Sequence, residues 1–229
     1  MDKISVTLYD LLGYVLPGCV ILFTLSVIEA TFLGSHHLAI SAFAKNFGLS
    51  AVACYFLGAV AHSIGSILKD RLPKLFCDKS NRLDTDILNR AREIAKDIYG
   101  FSRDDKRELT NLETYLLADS YVVASGRLVE REVLMAREGF YKASMVAMAL
   151  LSITLLCAAI FGGATVQFGT ASSQAFSRIA TLSFALCAAA LTMVFRRSFR
   201  FFNRIKVNNT ILLFMAIWSL GITDKQRTQ

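Results

Sequence analysis

Side chains able to do acid–base or ligand chemistry are sparse where this chain is apolar, and two stand out. His62 lies deep within the apolar run Gly48–Leu68, and Glu29 lies near the far end of the run Leu11–Leu33. An ionisable group in such a setting costs energy, so it marks either a functional position or a bonded interior one. Gly58, Ala61 and Gly65 recur around His62 at helical spacing, a face suited to close helix contact. On that face His62 is either a gating or proton-linked group or a histidine bonded to a neighbouring helix. Glu29 is expected to reach a membrane interface. His36 and His37 are adjacent but have no third ligand or carboxylate nearby, which makes a poor metal site. The five cysteines, Cys19, Cys54, Cys77, Cys157 and Cys187, form no Cys-x-x-Cys pair and read as small apolar packers. The sequence holds no Gly-rich phosphate loop, His-Glu-x-x-His helix or Gly-x-Ser-x-Gly elbow. The expectation is therefore a non-enzyme with no catalytic residue, cofactor or metal.

The elements that carry these residues are long and apolar. Apolar residues make up 54% of the 229, and the mean hydropathy is +0.47. Four runs, about Leu11–Leu33, Gly48–Leu68, Tyr141–Gly163 and Phe176–Phe195, each approach the ~20 residues needed to cross a hydrocarbon core. The expected fold is all-α: an integral membrane protein with four transmembrane helices and a helical cytoplasmic insert. The expected division is a first helix pair at 1–68, a cytoplasmic block at 69–140, a second pair at 141–195 and a basic tail at 196–229. Met1–Asp10 lacks the basic region of a cleavable signal, so the first run is expected to remain as a span.

Basic residues set the orientation. Lys69, Arg71 and Lys74 follow the second run, and Arg196, Arg197, Arg200, Arg204 and Lys206 follow the fourth. The connector Gly34–Phe47 carries only Lys45, and Ala164–Ala175 carries no charge. The positive-inside rule then places the block and both termini in the cytoplasm. The net charge of +7 is uneven: Lys69–Lys142 holds 15 Lys/Arg against 14 Asp/Glu, while Arg196–Gln229 holds 7 against Asp224 alone. Arg196, Arg197, Arg200 and Arg204 lie on the side of a helix opposite Phe195, Phe199 and Phe202, and are read as lipid-headgroup contacts. Direct nucleic-acid binding by the tail is the less favoured reading.

Pro17-Gly18 interrupts the first run. Pro17 lacks an N–H and crowds the carbonyl of Gly13, so a kink or helix restart is expected, serving as a hinge or as a static fit. In the block, Leu83, Ile87, Ala91, Ile94, Ala95 and Ile98 make one helical stripe, with Gly100 as its stop. Ser102 and Asp105 form an N-cap pattern for a next helix, along which Leu109, Leu112, Leu116 and Tyr121 continue a stripe. Ser125-Gly126 marks a break, after which one helix is expected from about Arg127 to Gly163. The block either packs on itself or docks a cytoplasmic partner or second protomer through Leu109, Leu112 and Leu116. Ile211–Ile222 is too short to span alone. It is read as packing on the block, with a re-entrant or interfacial segment anchored by Trp218 as the alternative.

Tyr9-Asp10-Leu11-Leu12-Gly13-Tyr14-Val15-Leu16-Pro17-Gly18 resembles the first-helix signature of uncharacterised bacterial four-span inner-membrane proteins of phage-defence operons. Phe140-Tyr141-Lys142 and the Arg/Phe-rich stretch Arg196–Arg204 fit the same layout. The Kiwa membrane subunit is similar in design and works with a cytoplasmic DNA-binding partner. The resemblance implies a multi-pass protein of the bacterial inner membrane, expected to form a homo-oligomer among membrane lipids and to engage a cytoplasmic protein partner. It would sense a membrane event and relay it inward. A pore-forming effector that depolarises the membrane, or an accessory transporter subunit, is the alternative.

Overall fold

Long helices are what the sequence favours, because few prolines and continuous apolar runs leave the backbone to bond within each segment. The computed structural model describes residues 2–34, 46–72, 85–100, 109–125, 129–167 and 173–227. Among them, α1 (Asp2–Ile28) ends in a π-turn at Glu29–Leu33, and α2 covers Phe47–Arg71. Then come α3 (Thr85–Ile98), α4 (Asn111–Ala124) and α5 (Val129–Phe161). A hairpin of β1 (Thr165–Gln167) and β2 (Ser173–Ala175) leads into α6 (Arg178–Arg227). Four of the described helices are long and apolar enough to cross a membrane, through Gly13–Leu33, Gly48–Arg71, Met135–Phe161 and part of Arg178–Leu220.

One departure from an all-α reading is local. The uncharged connector pairs antiparallel, Thr165 with Ala175 and Val166 with Gln174. Phe176 N–H donates to the Ala164 carbonyl at 2.8 Å and extends the ladder by one bond. The helix expected to leave the fourth apolar run is continuous, since α6 runs through Asn208 and Thr210 to Arg227. At Pro17 the expected restart is absent, since α1 runs through that residue without a break.

The chain divides into two compact units. The first comprises Met1–Phe76 and Ala136–Arg200. It is built inside out relative to a water-soluble protein. Small residues such as Ala61, Ala143, Ala158 and Ala185 are buried, together with Ser26, Ser152 and Thr181. Large ones such as Phe56, Ile67, Ile160 and Ile179 are exposed. That pattern suits helices whose surroundings are hydrocarbon, because association there depends on close approach and interhelical bonds, not on hiding large apolar groups.

The second unit comprises Cys77–Met135 and Phe201–Gln229. Its core joins Ala91, Ile94 and Ala95 of α3, Ala118 and Val122 of α4, and Ile211 and Phe214 of α6. The rings of Tyr121 and Phe214 meet edge to face at 5.4 Å. The stripe expected on α3 is thus the buried one, and Ile211 onward packs on the block as expected. Gly100, at φ +68°, follows α3 as the predicted stop. In this division Ala136–Phe140 falls in the first unit, and 201–229 falls with 77–135 in the second.

The phase of α4 is set at its start. Its N-cap is Thr110, whose hydroxyl accepts from Glu113 N–H at 3.2 Å while Glu113 Oε2 accepts from Thr110 N–H at 2.8 Å. A cap at Thr110 fixes the helix phase so that Thr114, Ala118 and Val122 face inward. Leu109 precedes the cap and is 5% exposed within the core, so it is not a surface docking residue. Leu112 and Leu116 remain exposed, at 67% and 51%. Leu83, Ser102, Asp105, Gly126, Cys77, His36 and His37 lie outside the described residues.

Candidate functional site

Two contacts between α1 and α2 set the frame. A Cβ on Gly18 would overlap the carbonyl of Cys54, and one on Gly58 would overlap the carbonyl of Tyr14. The backbones therefore touch at two points one helical turn apart on each helix, which only glycine permits. Pro17, beside Gly18, is fully buried. The Sγ atoms of Cys19 and Cys54 lie 3.4 Å apart at the same crossing. Those two cysteines, read above as scattered packers, are in fact neighbours.

One turn further along, α2 turns a polar edge to α5. His62, Ser66 and Lys69 follow at i, i+4 and i+7, and Glu138, Gly139 and Lys142 answer from α5. Lys142 Nζ donates to Ser66 Oγ at 2.7 Å, and Ser66 Oγ donates to the His62 carbonyl at 3.1 Å. Lys69 Nζ meets Glu138 Oε1 at 3.3 Å and sits 5.6 Å from the centre of the Phe199 ring of α6. Glu138 and Lys142 are only 6% and 7% exposed. Burying charge is costly unless it is paired and hydrogen-bonded, and here it is both.

His62 occupies the centre of this arrangement. Its ring stands edge to face with Tyr14 of α1 at 5.6 Å. A Cβ added at Gly139 would meet His62 Cε1 at 3.0 Å, so the imidazole rests directly on the α5 backbone. Gly65 has a different role from Gly58. A Cβ there would lie 2.7 Å from Lys142 Cγ, so Gly65 gives the lysine stem room to reach Ser66.

The residues singled out from sequence thus separate into groups. Pro17, Gly18 and Gly58 belong to the α1–α2 crossing, and His62 and Gly65 to the polar edge against α5. Leu112 and Leu116 lie on the outer face of α4. Arg197 and Arg204 are exposed, whereas Arg196 and Arg200 are partly buried. Glu29, at the start of the π-turn, is 7% exposed. Nearby, Thr31 Oγ1 accepts from Thr165 N–H at 3.0 Å, tying that turn to the hairpin. Sequence reasoning missed Ser66, Glu138 and Lys142. The available signal was the i, i+4 pair of Glu138 and Lys142 at the entrance to an apolar run, matched by Ser66 and Lys69 at the exit of another.

No group of three or more His, Cys, Asp or Glu able to hold a metal occurs among the described residues. The chain matches no family model, no curated protein and no solved structure.

Proposed function

We propose that this protein is a membrane-embedded relay of the bacterial inner membrane. It would register a change in the bilayer and pass it to a cytoplasmic protein docked on the unit formed by 77–135 and 201–229. The observation that carries this reading is the polar cluster in which buried Glu138 and Lys142 meet the partly buried Lys69, Ser66 and His62. Buried ionic groups seldom maximise stability, so a cluster of this kind is more readily explained by a conformational role than by strength alone. Helix α6 places Phe199 under Lys69 in the first unit and supplies Ile211 and Phe214 to the core of the second. A shift at the cluster therefore has a continuous helix along which to act. The basic residues Lys69, Arg71, Arg196 and Arg197 support an orientation with both termini in the cytoplasm. The exposed Leu112 and Leu116 supply the docking face. The link to phage defence, and assembly as a homo-oligomer, rest on the resemblance of the Tyr9–Gly18 segment and of the overall layout.

The test combines a potential-sensitive dye in phage-challenged cells with a pull-down of partners. A relay recovers a cytoplasmic partner, loses it in Leu112→Ser/Leu116→Ser, and keeps the membrane polarised until that partner acts. Early depolarisation by this protein alone, with no partner recovered, would establish the pore instead.

A further inference from the structure

Within the first unit, α1, α5, the hairpin and α6 enclose a cleft of about 270 Å³ that is half open to the side. Its walls are two helical stripes: Met148, Leu151 and Leu155 on α5, and Phe184, Cys187, Ala188 and Leu191 on α6. Each stripe spans seven residues, or about 10 Å along a helix axis. Phe23, Ala164, Val166 and Phe176 complete the lining. The cleft is therefore elongated and narrow, not a round hollow fit for one knob.

No lining residue carries a charge, hydroxyl or amide side chain. The polar groups next to the cleft are used elsewhere. Ser152 Oγ donates to the Ala185 carbonyl at 3.0 Å. Thr181 Oγ1 donates to the Ser177 carbonyl and accepts from Ala164 N–H, each at 2.9 Å. A water entering the cleft would find no partner, and apolar cavities of this kind stay dry. A second protein helix is a poor occupant. Helix association in lipid relies on small residues or interhelical hydrogen bonds, and these walls are mostly Leu, Phe and Met. The stripes belong to helices apolar enough to lie in hydrocarbon.

We infer that this cleft is a binding site for one acyl chain of a membrane lipid, entering from the side. Recognition is through the chain, since the lining is apolar and the charges at this end, Arg178 and Glu29, lie outside it. The inference rests on the helices lying in a bilayer and is independent of the relay.

The full chain is reconstituted in vesicles of phosphatidylcholine and phosphatidylglycerol, doped with either lipid bearing a diazirine on its acyl chain. After irradiation, adducts are mapped by mass spectrometry. Labelling is expected to concentrate at Leu151, Leu155 and 184–191, several-fold above the outward-facing Ile153 and Ile160, and to be equal for both headgroups. Ala188→Trp, which fills the cleft, lowers cleft labelling several-fold and leaves Ile153 and Ile160 unchanged. Leu151→Phe provides the same test should Ala188→Trp fail to fold. Uniform labelling of cleft and outward residues, or undiminished cleft labelling in a folded filled variant, overturns the site. So does a cross-link from the cleft to a second copy of the chain. Variants that abolish partner recovery, such as Leu112→Ser/Leu116→Ser, leave the lipid adducts intact.

Discussion

At the scale of single residues, the two glycine contacts and the polar cluster make opposite forecasts. Gly18→Ala or Gly58→Ala forces a methyl into a backbone carbonyl of the facing helix, which cannot yield as a side chain tip does. Each should cost about 1–3 kcal/mol, read as a lower melting temperature in detergent. Gly48→Ala, with open space around its Cβ, should leave the melt unchanged. The cluster behaves differently. Glu138→Gln removes the charge that pairs with Lys69 and should destabilise by about 1–3 kcal/mol. Replacing both members of the neighbouring bond, as in Lys142→Met/Ser66→Ala, should be neutral or stabilising, because apolar groups of similar size fill a buried polar site well. The same double variant should lose partner signalling in cells. A large drop in melting temperature for the double variant would mean that the cluster serves stability first. Gly58 and Gly65 were legible in the sequence because small residues at helical spacing announce close approach. Glu138 and Lys142 were not. Opposite charges at i, i+4 on the edge of an apolar run look the same whether they face water or a neighbouring helix, and only the packing shows that Glu138 meets Lys69 and Lys142 meets Ser66.

At the scale of elements, apolar length alone located all four long helices, since crossing a hydrocarbon core imposes that length. Phase was harder. The stripe of α3 was read correctly because large apolar residues fall on its buried face. On α4 the buried positions are Thr114, Ala118 and Val122, Leu112 and Leu116 are exposed, and Leu109 before the cap is buried, so the leucine spacing did not show which of the three would be covered. The capping box at Thr110 and Glu113 would have set the phase. Thr110→Ala should cost about 1 kcal/mol, visible as several-fold faster hydrogen exchange at the first turn of α4. The α1–α2 pair has its own check. In a variant retaining only Cys19 and Cys54, mild oxidation should remove both thiols from maleimide labelling within one chain, and Gly58→Leu should block this by forcing the helices apart. Unchanged oxidation in Gly58→Leu would show that the glycine does not set the spacing.

At the scale of the whole molecule, orientation is the property most open to direct test. With single cysteines at Asp105 and Gln174 in a cysteine-free background, an impermeant thiol reagent outside whole cells should label 174 and spare 105. The reverse result would invert the topology and remove the cytoplasmic docking surface. The order of elements along the chain has a further consequence, and it concerns synthesis. The core of the second unit takes α3 and α4 from before α5, and Ile211 and Phe214 from beyond α5 and the first half of α6. If the long helices insert as proposed, the core that α3 and α4 begin is completed during translation only after two more apolar helices have been delivered to the membrane. Completion of the polar unit becomes a report that the later helices have been delivered. A chain stalled before that point carries exposed apolar surface that chaperones and proteases can recognise, so failed insertion marks itself for removal.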